Sequence, residues 1–189
     1  VAARDTVLGV VLAGGRGSRV GGRDKGLIAW QGRPLAEHVA LRLRPQVDSL
    51  WIVANRHAQD YAAWADRVVA DAVAGFRGPL EGVATALAAC DRDWALFAPV
   101  DVPALPRDLG ARLLAAARDA GAGIAVAHDG ERRQVLCMLA RPGLAPSARE
   151  RLRAGDAAVH SWQDACGALE VDCSGCDGDF ANLNHGPGP

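Results

Sequence analysis

Residues 7–26 read VLGVVLAGGRGSRVGGRDKG, a short apolar run that passes without a spacer into a loop crowded with glycine and arginine. Val7 to Ala13 contains no polar residue, which suits a strand covered on both faces, as in a parallel sheet between two layers of helices. The loop after it sets the chemistry. Arg16, Arg19, Arg23 and Lys25 are balanced only by Asp24, and the glycines among them expose backbone N–H groups that can line an anion-binding hollow. A tight strand-to-helix connection would account for the glycines alone. The added cations make phosphate the expected ligand.

Outward from this stretch, apolar runs alternate with glycine or proline breaks. Gln31-Gly32 is a turn, Pro34 opens a helix through Arg44 with Leu35, Val39 and Leu43 along one face, and Pro45 ends it. Leu50 to Ala54 reads as a second strand, residues 58–65 as a helix, and Arg67 to Ala70 as a third strand that stops at Asp71. A helix from Leu80 to Cys90 and a strand from Trp94 to Ala98 come next, the strand ending before Pro99-Val100-Asp101. Beyond Pro106 a helix runs to about Ala120. Ile124 to His128 and Gln134 to Ala140 then form a hairpin about Asp129-Gly130, before helices near 145–154 and 157–165 and a strand near 168–173.

This alternation predicts an α/β fold, a single-domain, Rossmann-like, mostly parallel sheet flanked by helices over residues 1–184, with right-handed crossovers. Functional loops in such a sheet gather at the carboxyl ends of the strands. The glycine loop, Asn55, Asp71 and Asp101 each follow a strand and are therefore expected on one rim. The HGPGP tail at 185–189 is expected to be disordered.

Composition narrows the function classes. A net charge of -1 over 189 residues lacks the basic excess of a nucleic-acid binder, so any anion must be met locally. No apolar run approaches the roughly 18 residues of a membrane span, and a cytoplasmic protein is expected. The five cysteines are odd in number and scattered, which predicts reduced thiols. Cys173-Ser174-Gly175-Cys176 has neither the partners of a zinc site nor the early position of a redox pair and is read as coincidental. The five histidines show no metal-binding spacing, and the five tryptophans are expected in the core or shallowly at the surface.

Two familiar phosphate motifs fail on particular residues. A GxGxxG motif starting at Gly15 needs glycine where Val20 stands, and a P-loop needs Gly-Lys before Ser or Thr, whereas Lys25 lies between Asp24 and Gly26. Leu12-Ala13-Gly14-Gly15-Arg16-Gly17-Ser18-Arg19-Val20-Gly21-Gly22-Arg23-Asp24-Lys25 instead resembles the LAGGxSxRMGxxK loop of nucleotidyltransferases, which join a nucleoside triphosphate to an acceptor phosphate and release pyrophosphate. Within that superfamily the chain most resembles the molybdenum cofactor guanylyltransferases. The likeness rests on Gly22-Arg23-Asp24-Lys25-Gly26-Leu27, Asn55-Arg56-His57, Asp71 with Gly78-Pro79-Leu80-Glu81-Gly82, Asp101-Val102-Pro103, and Phe180-Ala181-Asn182-Leu183-Asn184. The chain departs from the pattern at Val20, commonly methionine, at Val53, often asparagine, and at His185-Gly186-Pro187, where a Thr-Pro-Glu stretch usually continues.

The resemblance implies a nucleotide-diphospho-sugar transferase-like fold and transfer of GMP from GTP to the phosphate of molybdenum-bearing molybdopterin. It implies that Leu12, Ala13, Gly14 and Gly15 receive the nucleotide, that Arg19 and Lys25 receive the triphosphate, and that Asp101 holds Mg²⁺, making Lys25, Arg19 and Asp101 the catalytic set. Asn55, Asp71, Gly78 and Gly82 then belong to the nucleotide site, where guanine N1–H and N2–H₂ require acceptors. Asn182 and Asn184 would face the same way in an extended segment and present paired amides to the pterin or its phosphate. The residues by themselves favour a metal ligand over a turn former at Asp101, read Asp71 as a cap or loop residue, and leave the two asparagines between acceptor contacts and turn positions. Expected partners are GTP, molybdopterin, and proteins that deliver molybdopterin or mature molybdoenzymes. Cytidylyl transfer to the same pterin, or transfer to a sugar phosphate, would keep Lys25 and Asp101 and differ in the base loop. A noncatalytic nucleotide-binding module would be expected to lose one of that pair, and both are present.

Overall fold

Every residue of Val7–Leu12 is buried, and the strand they form, β1, sends alternate side chains into two separate cores. Val7 and Val11 enter one core with Val39, Leu43 and Leu113; Leu8, Val10 and Leu12 enter the other with Leu80, Leu87 and Trp162. Burial of each such aliphatic side chain contributes about 1.5–3 kcal/mol, so β1 is stable only where both of its faces are covered.

The computed structural model describes residues 4–14, 24–72 and 78–183; Gly15, Arg19, Asn184 and the tail at 185–189 lie outside the described residues. After β1 come β2 (Ala29–Trp30), β3 (Arg33–Pro34), α1 (Leu35–Leu43), β4 (Ser49–Val53), α2 (Ala58–Tyr61) and β5 (Arg67–Val69). The chain continues through α3 (Pro79–Ala89), β6 (Trp94–Pro99), α4 (Leu109–Ala120), β7 (Ile124–His128), β8 (Arg133–Ala140), α5 (Ala145–Arg153), α6 (Val159–Ala165) and β9 (Leu169–Asp172).

Among the described residues the main sheet has seven strands in the order β5-β4-β1-β6-β8-β7-β9. β1 pairs in parallel with β4 and with β6, β4 with β5, and β7 with β9; β8 runs antiparallel to both β6 and β7. The expected α/β architecture with a mostly parallel sheet is present, and the hairpin about Asp129-Gly130 supplies its antiparallel member. Residues of α1 and α4 pack into one core and those of α3, α5 and α6 into the other.

The differences from the sequence reading are local. α2 ends at Tyr61 rather than near residue 65, because Trp64 and Ala65 turn back onto the core and the Asp66 N–H bonds to the Leu50 carbonyl at 2.8 Å. Pro45 ends α1 but sits within a 3₁₀ turn, Arg44–Gln46, where its missing N–H costs no hydrogen bond. Gln31 and Gly32, with φ of 49° and 81°, make the two-residue turn of the small β2–β3 hairpin.

At the amino ends of the central strands, carboxylates take the first backbone amides. Asp48 accepts from Val7 N–H at 2.7 Å, Asp66 from Leu50 N–H at 2.7 Å, and Asp93 from Thr6 N–H at 2.8 Å. The Leu50 amide, together with the Arg44 guanidinium 2.6 Å away, holds the Asp66 carboxyl below the usual carboxylate range. A lowered carboxyl adds stability above its unfolded pKa and loses it as pH falls through the folded value. Asp66→Asn should therefore melt below the wild type at pH 7, with the two melting curves converging under acid. A difference that stays constant from pH 7 to pH 3 would contradict this role.

Candidate functional site

The strand order reverses at β1, with β4 and β5 on one side and β6 on the other, so the carboxyl end of β1 is where a ligand crevice is expected in a sheet of this kind. Backbone bonds fix its floor: Ala13 N–H donates to Val53 O at 2.9 Å, Val100 N–H to Leu12 O at 3.1 Å, and Ala54 N–H to Val69 O at 2.9 Å. The Ala13 amide is thus spent within the sheet, and its carbonyl is what it has to offer a ligand.

On the β6 side, Asp101 meets Lys25. Lys25 Nζ lies 2.6 Å from Asp101 Oδ2, with both side chains partly exposed, at 26% and 19%. These residues are 76 positions apart and come from different loops. The C-terminal segment reaches the same place, because Leu183 N–H donates to the Asp101 carbonyl at 2.9 Å, which sets exposed Asn182 beside the end of β6.

On the β4 side, Asn55 clamps Asp71. Asn55 Nδ2 donates to Asp71 Oδ2 at 2.7 Å, and the Asp71 N–H donates to Asn55 Oδ1 at 2.8 Å. Gly14 lies alongside, with a position for a β-carbon 3.7 Å from Asn55 Nδ2. Gly82, in the first turns of α3, crosses close above the sheet: a β-carbon there would stand 3.2 Å from Val53 Cγ1, 3.3 Å from Leu12 Cδ2 and 3.5 Å from Asp71 Oδ1. Gly78 caps α3 with φ of 89° and accepts from the Glu81 N–H. Leu12, Gly14, Asn55, Asp71 and Gly82 are therefore neighbours, as are Lys25, Asp101 and the segment bearing Asn182.

A second tier of residues braces Asp71 from behind. The Ala72 N–H donates to Thr85 Oγ1 at 3.1 Å, and Arg149 of α5 donates from Nη2 to the same oxygen at 3.1 Å. Through Nη1, Arg149 also donates to Glu81 Oε1; Glu81 is fully buried, and its Oε2 has no hydrogen-bond partner among the described residues. In the sequence Glu81 stands out only as part of a loop motif, and Thr85 and Arg149 carry no motif at all.

The remaining motif residues lie elsewhere. All five thiols are free, and Cys173 and Cys176 flank the loop leading to Phe180. Burial pushes both thiols up, Cys176 to about 12, which suits packing rather than thiolate chemistry. Among the described residues no group of three or more His, Cys, Asp or Glu is arranged to hold a metal, and no helix is long and apolar enough to cross a membrane.

Residues 9–169 match the family model described as the MobA-like NTP transferase domain. The chain is 41% identical over 175 residues to a molybdenum cofactor guanylyltransferase of Shewanella amazonensis, covering 93% of this chain and 89% of that one. It is 40% identical over 180 residues to one from Pasteurella multocida, covering 95% of each. Among solved structures, the molybdopterin-guanine dinucleotide biosynthesis protein A of Archaeoglobus fulgidus superposes with a TM-score of 0.73 at 18% identity, over 87% of this chain and 83% of that one. The 2-C-methyl-D-erythritol 4-phosphate cytidylyltransferase of Thermus thermophilus gives a TM-score of 0.66 at 18% identity, over 93% and 92%. These two structures share the fold.

Burial raises the Asp71 carboxyl, and the nearby Glu81 carboxylate adds to the rise, against the opposing Asn55 hydrogen bond and the Arg149 charge. For a raised carboxyl the sign is opposite to that at Asp66: stability is greatest below the unfolded pKa and falls as pH rises through the folded value. Asp71→Asn keeps an oxygen for Asn55 and removes the charge. It should raise the melting temperature at pH 7, by a margin that shrinks as pH is lowered. A variant that melts below the wild type at pH 7 would contradict the account.

Proposed function

The chain belongs to the MobA-like NTP transferase family, among the molybdenum cofactor guanylyltransferases, and on that premise we propose that it transfers GMP from GTP to the phosphate of molybdenum-bearing molybdopterin. An acceptor phosphate oxygen bonds to the α-phosphorus of GTP, the bond from that phosphorus to the β-phosphate oxygen breaks, and pyrophosphate leaves. Such a step depends on positioning and charge neutralisation more than on covalent chemistry by the protein. A cytoplasmic setting, where GTP is available, accords with this reading.

The observation that carries it is the Lys25–Asp101 contact at the mouth between β1 and β6. At rest the amine and the carboxylate neutralise each other. With GTP in the crevice, Lys25 turns to the phosphates and follows the charge that develops on the leaving oxygens. Arg19, from the same glycine-rich stretch of sequence, would share the triphosphate, and Gly14 and Gly15 would receive the nucleotide. Asp71, oriented by Asn55, and the carbonyls of Leu12 and Ala13 accept from guanine N1–H and N2–H₂ under the turn from Gly78 to Gly82.

Mg²⁺ fits the Asp101 end by its donor set. A single rim carboxylate suits a cation that takes one or two protein carboxylates and completes its shell with substrate phosphates and water. When bound it supplies neutralisation of phosphate charge. Asp101 would hold it, and the bond from Leu183 N–H to the Asp101 carbonyl keeps that residue in place. Asn182, beside the end of β6, and Asn184 would receive the acceptor phosphate or the pterin. Proteins that deliver molybdopterin or mature molybdoenzymes would meet the molecule at this open rim.

Lys25→Ala and Asp101→Ala test the assignment. Each breaks a partly exposed ion pair, for which a stability cost of about 1 kcal/mol or less is expected. Each should lower GMP transfer by about a hundredfold or more, as loss of a transition-state charge contact does. Wild-type turnover in a folded variant, or melting-temperature and activity losses that track each other, would refute the roles. Asn182→Ala should weaken acceptor binding and leave GTP binding intact; unchanged pterin affinity in a direct titration would move the acceptor site away from this segment.

A further inference from the structure

Lys25 needs its own support, since it sits on a three-residue 3₁₀ turn, Lys25–Leu27, beside a glycine-rich loop. Asp24 caps that turn, its Oδ1 accepting from Gly26 N–H at 3.1 Å. The same oxygen accepts the hydroxyl of Tyr61 at 2.5 Å. Tyr61 is the last residue of α2, fully buried, with its ring edge-on to Trp64 at 6.2 Å between centroids. Burial, reinforced by the Asp24 carboxylate, pushes its hydroxyl well above the usual tyrosine range, so it remains a donor.

The fit leaves no room for alternatives at Gly26. A β-carbon there would lie 2.3 Å from the Tyr61 hydroxyl oxygen and 3.0 Å from its ring, and the tyrosine is held in the core and cannot retreat. The backbone of the Lys25 turn thus rests directly on the tyrosine. One rigid side chain fixes the turn by contact at Gly26 and by hydrogen bond at Asp24.

We infer that Tyr61 is a positioning residue for guanylyl transfer: its hydroxyl, through Asp24, sets the turn that aims Lys25 at Asp101 and the phosphates. Tyr61 comes after the Asn55-Arg56-His57 loop that leaves β4, so the clamp ties the nucleotide side of the crevice to the phosphate side. The inference rests on the guanylyltransferase reading and deepens it. Burial obliges the Tyr61 hydroxyl to find an acceptor, and the acceptor it takes is the carboxylate that caps the Lys25 turn.

The test is a cycle between two residues that do not themselves touch substrate, read by kcat and KM for GTP with molybdenum-loaded molybdopterin and by melting temperature. Tyr61→Phe keeps the ring and removes the donor. It should melt close to the wild type and lose about tenfold or more in kcat, with a smaller change in KM for GTP, as a displaced catalytic group would give. Asp24→Asn retains an oxygen for both donors and should stay within about threefold of the wild type; Asp24→Ala, which also removes the cap on Gly26 N–H, should fall at least as far as Tyr61→Phe. Tyr61→Phe combined with Asp24→Ala should fall no further than Asp24→Ala alone, since the carboxylate that Tyr61 acts through is already gone. Wild-type kcat in Tyr61→Phe, losses that multiply in the double variant, or kcat loss matched by loss of fold would overturn the inference. A wild-type protein that makes no guanine dinucleotide would instead overturn the reading on which it rests, and the inference with it.

Discussion

The double-sided burial of β1 is the constraint on which the rest depends. A strand whose every residue is buried must have a strand on each edge and a helical layer on each face, and β4, β6, α1 and α3 supply these. Because the chain builds outward from β1 in both directions, to β4 and β5 on one side and to β6 on the other, the carboxyl end of β1 is the switch point at which a sheet of this kind takes its ligand. Gly14, Asn55 and Asp71 lie on the β4 side of that point and Asp101 on the β6 side, each placed by the strand before it.

The two ends of that sheet use acidic residues in opposite ways. At the amino ends, Asp48, Asp66 and Asp93 are tied to strand amides, and amide or guanidinium partners hold Asp66 and Asp93 below the ordinary range. At the carboxyl ends, Asp71 is raised by burial and Asp101 is matched to a lysine from a loop. Acids at the first end stabilise the sheet. Those at the second stand where the proposed catalysis by charge placement would use them.

Most of the fold is legible in the sequence because its signals are local. The unbroken apolar run of β1, the turn at Asp129-Gly130 and the helical spacing of Leu35, Val39 and Leu43 each lie within one element, and each element is present. The sequence overextends α2 because a helical pattern cannot register that Trp64 must turn inward. The loop after β1, Asp71 and Asp101 are legible as site candidates since each comes directly after a strand, and the structure sets Asp71 against Asn55 and Asp101 against Lys25. The supports behind them are not. Tyr61 meets Asp24 across 37 residues and Arg149 meets Glu81 across 68, and such pairs leave no spacing to recognise. Antiparallel β8, inserted between β6 and β7, is foreseeable only as half of a hairpin, because pairing with β6 depends on the whole sheet.

The central claim is that this crevice selects guanine and spends the nucleotide only on a pterin phosphate. Pyrophosphate release measured with GTP, ATP, CTP and UTP in turn, with and without molybdenum-loaded molybdopterin, tests it most directly. The account predicts release from GTP well above the other three, and only when the acceptor is present. Release from CTP equal to or faster than from GTP, or release from GTP that does not depend on the pterin, would contradict it.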